Sequence, residues 1–324
     1  MLKVSYKVKI DQLNYTDSDK SQVIDLRSHS SLNIPVNSCR IILGIPKDLT
    51  INLEDSISVE LGDDKTQSLV FTGKVNSVDW GIDSVIIYAD SSFKSLTTAR
   101  LNVLFEKPSA GDIIKDIVQS RLKLPVAKIE DGLKFSVYTL GDRYPVYDQL
   151  QHLARQCGFD FYADTEDKAV FAQYNATTTH ECKYGEDILT YTLDQVNKTI
   201  TGVEIYGESP ASQGQGEQAY SWLTKKEVKG TAGSNSAMML RLADPTARTQ
   251  QVANKIAAAV LQNLPQKPRG TLKVLGNPKV KLGDVIQVTQ MPISQQNGKF
   301  KITGVVHTLN RRSGFCTLIN WEQV

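Results

Sequence analysis

The feature that most constrains this chain is a pattern written twice, once near each end. Residues 53–61 read L-E-D-S-I-S-V-E-L and residues 71–79 read F-T-G-K-V-N-S-V-D, while residues 282–290 read L-G-D-V-I-Q-V-T-Q and residues 302–310 read I-T-G-V-V-H-T-L-N. Leu53, Asp55, Ile57 and Val59 match Leu282, Asp284, Ile286 and Val288. Thr72, Gly73 and Val75 then match Thr303, Gly304 and Val306, and Val78 matches Leu309 in kind. After a turn, each copy closes on an apolar run, V-I-I-Y-A at 85–89 and F-C-T-L-I at 315–319. Upstream, Leu43-Gly44 and Pro46-Lys47 echo Leu275-Gly276 and Pro278-Lys279. Apolar residues alternate at period 2, so each strand buries one face. A glycine inside a strand marks a bulge or a close backbone approach. The aspartate stands where a strand begins, placed to satisfy turn amides. The length changes fall in turns. The chain is read as two copies of one small β-barrel.

Between the copies the character changes. The segment A-G-D-I-I-K-D-I-V-Q-S-R-L at 110–122 sets Ile113, Ile114, Ile117, Val118 and Leu122 on one helical stripe. A second helix spans 144–158, with Pro145 in its first turn, Val146, Leu150, Leu153 and Cys157 inward, and Gly158 as its stop. A hairpin follows, 159–163 and 169–172, turning at D-T-E-D. Strand character returns over 190–206, and the Gly, Ser and Gln-rich stretch 208–218 reads as a mobile loop. A third helix is expected over 245–264, capped by Asp244 with Pro245 first and Val252, Ile256, Val260 and Leu264 on one face. The fold class is therefore mainly β with an α+β insert. The expected domains are a first barrel over 1–95, a helix–helix–hairpin module over 96–178, and a second barrel over 179–324 carrying loop 207–240 and helix 245–264.

Composition excludes several classes. A length of 324 residues exceeds one ordinary core. A formal net charge of +2 creates no field favouring nucleic acid or an acidic membrane surface. No apolar run approaches the roughly 18 to 20 residues of a membrane span, and the alternating N-terminus M-L-K-V-S-Y-K-V-K-I reads as a strand, not a secretory signal. Folding in a cytoplasm is the expectation. Cys39, Cys157, Cys182 and Cys316 have no C-x-x-C spacing and read as independent thiols. The sequons at Asn14, Asn175 and Asn197 are read as chance matches.

The order of these features resembles the baseplate hub proteins of contractile phage tails and related injection systems. That group includes the late control protein D family and the hub half of the type VI secretion spike protein. The resemblance rests on V-F-T-G-K-V at 70–75, Y-D-Q-L-Q-H-L-A-R-Q-C-G-F-D-F-Y at 147–162 followed by A-V-F at 169–171, T-I-T-G-V-E-I-Y-G at 199–207, and G-N-P-K-V-K-L-G-D-V-I at 276–286. It implies a homotrimer in which each chain supplies two tube-like barrels. Three chains then make a pseudo-six-fold ring, a symmetry adaptor between a six-fold tail tube and a three-fold spike. The implied partners are the tube or tube-initiator protein, the spike and baseplate wedge proteins, and the implied place is a virion tail baseplate or injection particle assembled in the host cytoplasm. The chain stops at Val324 without a β-helix repeat, so the spike is expected to be a separate polypeptide.

Signals for chemistry are sparse, and no catalytic, cofactor or metal residue is assigned. The run G-Q-G-E-Q-A at 214–219 formally matches a dinucleotide fingerprint but lacks a βαβ context. His180 and Cys182 have no second ligand pair at useful spacing. Cys157 with His152 or His180 is a conceivable nucleophile pair, but the thiol sits on an apolar stripe. Asp63 with Asp64, and Asp164 with Glu166, fall in turns. Arg311-Arg312 and Lys225-Lys226 read as solvated pairs without phosphate recognition. The alternative function is a soluble carbohydrate-binding or glycan-hydrolysing β-protein of a phage tail, with Trp80, Trp222 and Tyr220 lining a sugar site. The 208–240 segment with Trp222 is the expected assembly arm.

Overall fold

Alternating burial along the strands gives the architecture its logic. In β4 (Ser38–Gly44) and β7 (Ser84–Asp90) every second side chain is inward, as the period of 2 requires. The computed structural model describes residues 4–17, 22–44, 50–63, 66–176, 178–207, 228–234 and 237–324. Asp64, Pro46-Lys47, the 208–218 loop with its G-x-G-x-x-A run, Tyr220, Trp222, Lys225 and Lys226 lie outside the described residues.

The first barrel is built from β1 (Val4–Ile10), β2 (Leu13–Thr16), β3 (Val23–Ser31), β4, β5 (Ser56–Asp63), β6 (Gln67–Trp80) and β7. All of these strands supply one core, with Val8, Leu26, Ile41, Val59, Val75 and Ile87 among its buried residues. Burial of that apolar area is the main stabilising term.

The insert begins with α1 (Lys94–Thr98), β8 (Val103–Glu106) and α2 (Ala110–Ile114), whose Ser109 and Asp112 form a reciprocal capping box. The helix continues as a π-helical stretch over Lys115–Arg121, still burying Ile117 and Val118. After β9 (Val126–Ile129) and β10 (Val137–Leu140) comes α3 (Val146–Cys157), with Pro145 at its N-cap and Gly158 left-handed at φ 71°. The expected hairpin is β11 (Phe159–Ala163) and β12 (Ala169–Gln173).

The remainder comprises β13 (Thr179–Lys183), β14 (Ile188–Asp194), β15 (Gly202–Tyr206), β16 (Lys229–Gly233), β17 (Met239–Ala243), α4 (Gln250–Gln262), β18 (Arg269–Leu275), β19 (Val285–Thr289), β20 (Gly298–Asn310) and β21 (Gly314–Gln323). Three expectations change here. The strand expected over 190–206 ends at Asp194 and resumes at Gly202. The helix expected over 245–264 starts at Gln250, because Thr249 caps it through Val252 N–H. Asp244 instead turns back on Thr246 and receives a 2.6 Å hydrogen bond from the Gln156 amide. Third, parts of the 207–240 loop are strands, and β15, α4 and their neighbours pack elsewhere than expected. Val203, Ile205, Ala253, Ile256 and Ala257 join the core of the insert, not that of the second barrel. α3 and α4 pack together because each offers its apolar stripe there.

The two barrels share a strand order. The first runs β1-β5-β6-β7-β4-β3 and the second β13-β19-β20-β21-β18-β14. Each neighbour pair in one has its counterpart in the other, and only the first differs in sense: β1 and β5 are antiparallel, whereas β13 and β19 are parallel. The local detail repeats as well. Asp55 accepts from Asn52 N–H, and Asp284 from Lys281 N–H. Val75 exchanges backbone bonds with Glu54 and Asp55, and Ile302 does so with Gly283 and Asp284. A one-residue bulge follows each, between Val75 and Ser77 and between Ile302 and Gly304.

These bonds correct part of the sequence alignment. Val75 corresponds to Ile302 and not to Val306, so the two Thr-Gly pairs do not occupy equivalent places. Gly73 lies where a Cβ would come 2.3 Å from the Asp90 carbonyl, whereas Gly304 flanks the second bulge. Leu53 is exposed while Leu282 is buried, so the first position of L-x-D-x-I is not a shared core site. In the same register Cys39 and Ala89 of the first barrel become Gly270 and Trp321 of the second. A small residue thus yields space to the indole opposite it.

Candidate assembly surface

Two barrels in one chain present their surfaces according to how they are joined. The join is β-sheet. Beyond its bulge β20 leaves β19 and pairs antiparallel with β3, from Gly304 opposite Ser31 to Asn310 opposite Asp25. The result is one 13-stranded sheet running through both barrels. The bulged Thr303 turns its carbonyl out of the β20–β21 ladder, and β3 satisfies it through Leu32 N–H at 2.9 Å and Ser31 Oγ at 3.2 Å.

Side chains lock this seam. The tip of the β20–β21 hairpin carries Leu309 and Phe315 into the core of the first barrel. His307 lies fully buried against Phe315, with its Nδ1 3.1 Å from Thr317 Oγ1. Burial in this apolar setting holds its pKa down at about 4.

A second joint fixes the insert on both barrels. Lys301 on β20 is buried and reaches Asp160 of β11 at 2.8 Å, with Glu322 at 3.7 Å and the Tyr174 ring 4.6 Å from the ammonium. His180 of β13 lies 2.8 Å from Asp284. Toward the first barrel, Asn37 donates to the Ala163 carbonyl at 2.8 Å, and Ser92 N–H donates to the Asp167 carboxylate. Asp167 is raised to about 6, first by burial, despite those donors. A cleft lined by Val70, Phe71, Asp160, Tyr174, Lys281 and Asp284 marks where the insert meets both barrels.

The chemically suggestive residues do not converge. His180 is engaged by Asp284, and its strand neighbour Cys182 belongs to the second core, with its thiol pushed up to about 11 by burial. Cys157 packs on the insert core and is likewise raised to about 11 by burial. His152 lies in a surface recess with Asp148, Tyr144 and Thr246. Among the described residues, no group of three or more His, Cys, Asp or Glu side chains is placed to hold a metal ion. Asp164 accepts from Glu166 and Lys168 N–H, and Glu166 pairs with Lys168, which makes that acidic run a turn. Asp63 closes its turn on Thr66. Arg312 sits in the turn organised by Asn310. Trp80 is half exposed at the end of β6. The seam between β3 and β20 joins residues 272 apart, as at Ser31 and Thr303, and no local signal announces it.

No protein-family model matches the sequence, and no curated protein matches it. Its fold is nevertheless shared. A 43 kDa prophage tail protein from Shewanella oneidensis superposes over 99% of this chain and 98% of its own, at TM-score 0.72 and 13% identity. A tail protein from Neisseria meningitidis does so over 99% and 96%, at TM-score 0.71 and 13% identity. An Escherichia coli component of the type VI secretion system, described as similar to T4 bacteriophage tail proteins, covers 98% of this chain with 77% of its own, at TM-score 0.62 and 11% identity. At such identities the likeness is one of fold. The chain has the tail-protein fold, mainly β, with two duplicated barrels and an α+β insert.

Proposed function

We propose that this chain is a structural hub of a contractile tail or injection machine, acting as a homotrimer and not as an enzyme. The observation that carries the reading is the repeated strand order, fused into one sheet by the β3–β20 seam. Closed oligomers arise by rotation, so three chains with two quasi-equivalent units each present six similar sectors. A six-fold tube docks on one side of such a ring and a three-fold spike on the other. The reversed β13 supports this, because it is where the copies depart from one another and where strict six-fold equivalence ends. The tail-protein fold agrees with the reading. Wedge proteins are further partners, and the place of action is a tail baseplate or injection particle.

Sedimentation velocity and mass photometry of the full chain, alone and with candidate tube and spike proteins, test this. The expected species is a trimer of about 108 kDa, three times the 35.9 kDa chain. A protein that stays monomeric at every concentration and ignores both partners overturns the proposal.

A further inference from the structure

The seam inside the chain has a vacant counterpart on its outside. Beyond its own bulge β6 leaves β5, just as β20 leaves β19, because β5 begins opposite Lys74. Among the described residues, no strand takes the place that β3 takes on β20. The counterpart of β3 in the second barrel is β14. It pairs with β18 on one side and, among the described residues, with no strand on the other. The chain therefore shows one half of the seam at each end.

The side chains repeat the story. Counting from Val75 and Ile302, Trp80 takes the place of His307, and Ile82, in the turn just past the end of β6, falls level with Leu309. His307 is buried and Leu309 packs on the first core, whereas Trp80 is half exposed and Ile82 fully exposed. On the other edge Tyr191 takes the place of Leu26, since Ser28 opposes Cys39 as Leu193 opposes Gly270. Leu26 is fully buried. Tyr191 stacks on Trp321, and its hydroxyl has no hydrogen-bond partner among the described residues. Bare strand edges flanked by exposed apolar side chains are a liability unless another chain covers them.

We infer that β6 of one copy pairs antiparallel with β14 of a second copy, as an intermolecular version of the β3–β20 seam. Transferring His307 opposite Ser28 and Leu309 opposite Leu26 sets Trp80 opposite Leu193 and brings Ile82, in the turn just beyond β6, toward Tyr191. Ile82 then covers the second barrel as Leu309 covers the first, with Trp80 beside it in the place of His307. The same register sets Asp79 opposite Asp194. Arg269, 3.4 Å from Asp194, offsets that repulsion. Because β6 and β14 belong to opposite barrels, the contact is head-to-tail and closes a ring in which the barrels alternate. The inference rests on the three-chain reading above and names its interface.

Directly opposite Cα atoms in a sheet lie within disulfide reach. The test uses the full chain with Asp79→Cys and Asp194→Cys together, oxidised by copper phenanthroline, beside each single variant. The expected result is a denaturant-resistant ladder that stops at the trimer for the double variant and is absent from the singles. An equimolar mixture of the singles should stop at the dimer. Ile82→Asp, exposed in the free chain, should keep the monomer's circular dichroism while raising the concentration for half-assembly at least about tenfold. A trimer in solution with no cross-link from the double variant overturns this pairing and leaves the three-chain reading standing. A chain that never trimerises overturns both.

Discussion

Glu54 and Gly283 hold one backbone shape at one step of the two copies, with φ of 69° and 80°. Each precedes the aspartate that closes the turn into its barrel. The left-handed region costs an L-residue about 1 to 2 kcal/mol and glycine almost nothing. Gly283→Ala should therefore lower the stability of the protein by about 1 kcal/mol. Glu54→Gly should raise it by a few tenths, roughly, since glycine's own entropy cost offsets part of the relief. The exposed Glu54–Lys74 pair contributes little to that balance. Urea midpoints of the two variants moving in the same direction would contradict a shared turn.

His307 makes the seam sensitive to acid. The folded protein keeps the ring neutral down to about pH 4, whereas the unfolded chain protonates near 6.5. Above pH 6.5 its contribution is complete. As pH falls from 6.5 toward 4, the unfolded chain binds the proton first, and about 3 kcal/mol drains away. His307→Gln should flatten that part of the stability profile, measured by urea unfolding at half-unit steps. An unchanged slope would place the acid sensitivity elsewhere.

Lys301 and Asp160 hold the insert to the second barrel across 2.8 Å with little exposure. Lys301→Met should cost about 2 to 4 kcal/mol, because Asp160 then stays desolvated without its cation. Lys301→Met with Asp160→Leu should recover most of that loss, since an apolar pair needs no compensation. Thermal unfolding of the four members of the cycle gives the coupling directly. Additive effects would show that the pair is not coupled.

Gly270 leaves room for Trp321. A Cβ there would sit 2.0 Å from the Thr192 carbonyl oxygen and 2.6 Å from the indole ring. Gly270→Ala should cost about 1 to 3 kcal/mol by overpacking and disturb the near-ultraviolet signal of the stacked Trp321 and Tyr191. The equivalent Cys39→Ala in the first barrel should cost less, since it removes a single sulfur atom and forces no contact on Ala89 opposite it. Equal losses at both sites would mean that the barrels do not divide their core volume as described.

The duplication was legible because its signals are local. Period-2 burial in β4, β5 and β7, the aspartates at 55 and 284, and the Pro145 and Gly158 boundaries of α3 are each decided by a few neighbouring residues. The Thr-Gly alignment failed because such pairs recur in strands, while the bulge that fixes register leaves no residue signature. The start of α4 is not legible locally, because Asp244 and Pro245 resemble a helix opening, yet Asp244 is held by Gln156 from α3. The packing of β15 and α4 on the insert, and the seam from β3 to β20, depend on contacts between distant segments that local pattern does not encode.

The strand shared by both barrels has a mechanical consequence. Seven consecutive residues of β20 lie against β3, so a pull separating the barrels along the strands is resisted in shear by a whole row of backbone hydrogen bonds, not unzipped one at a time. A flexible tether would let the halves swing; this splice makes them a single stiff beam.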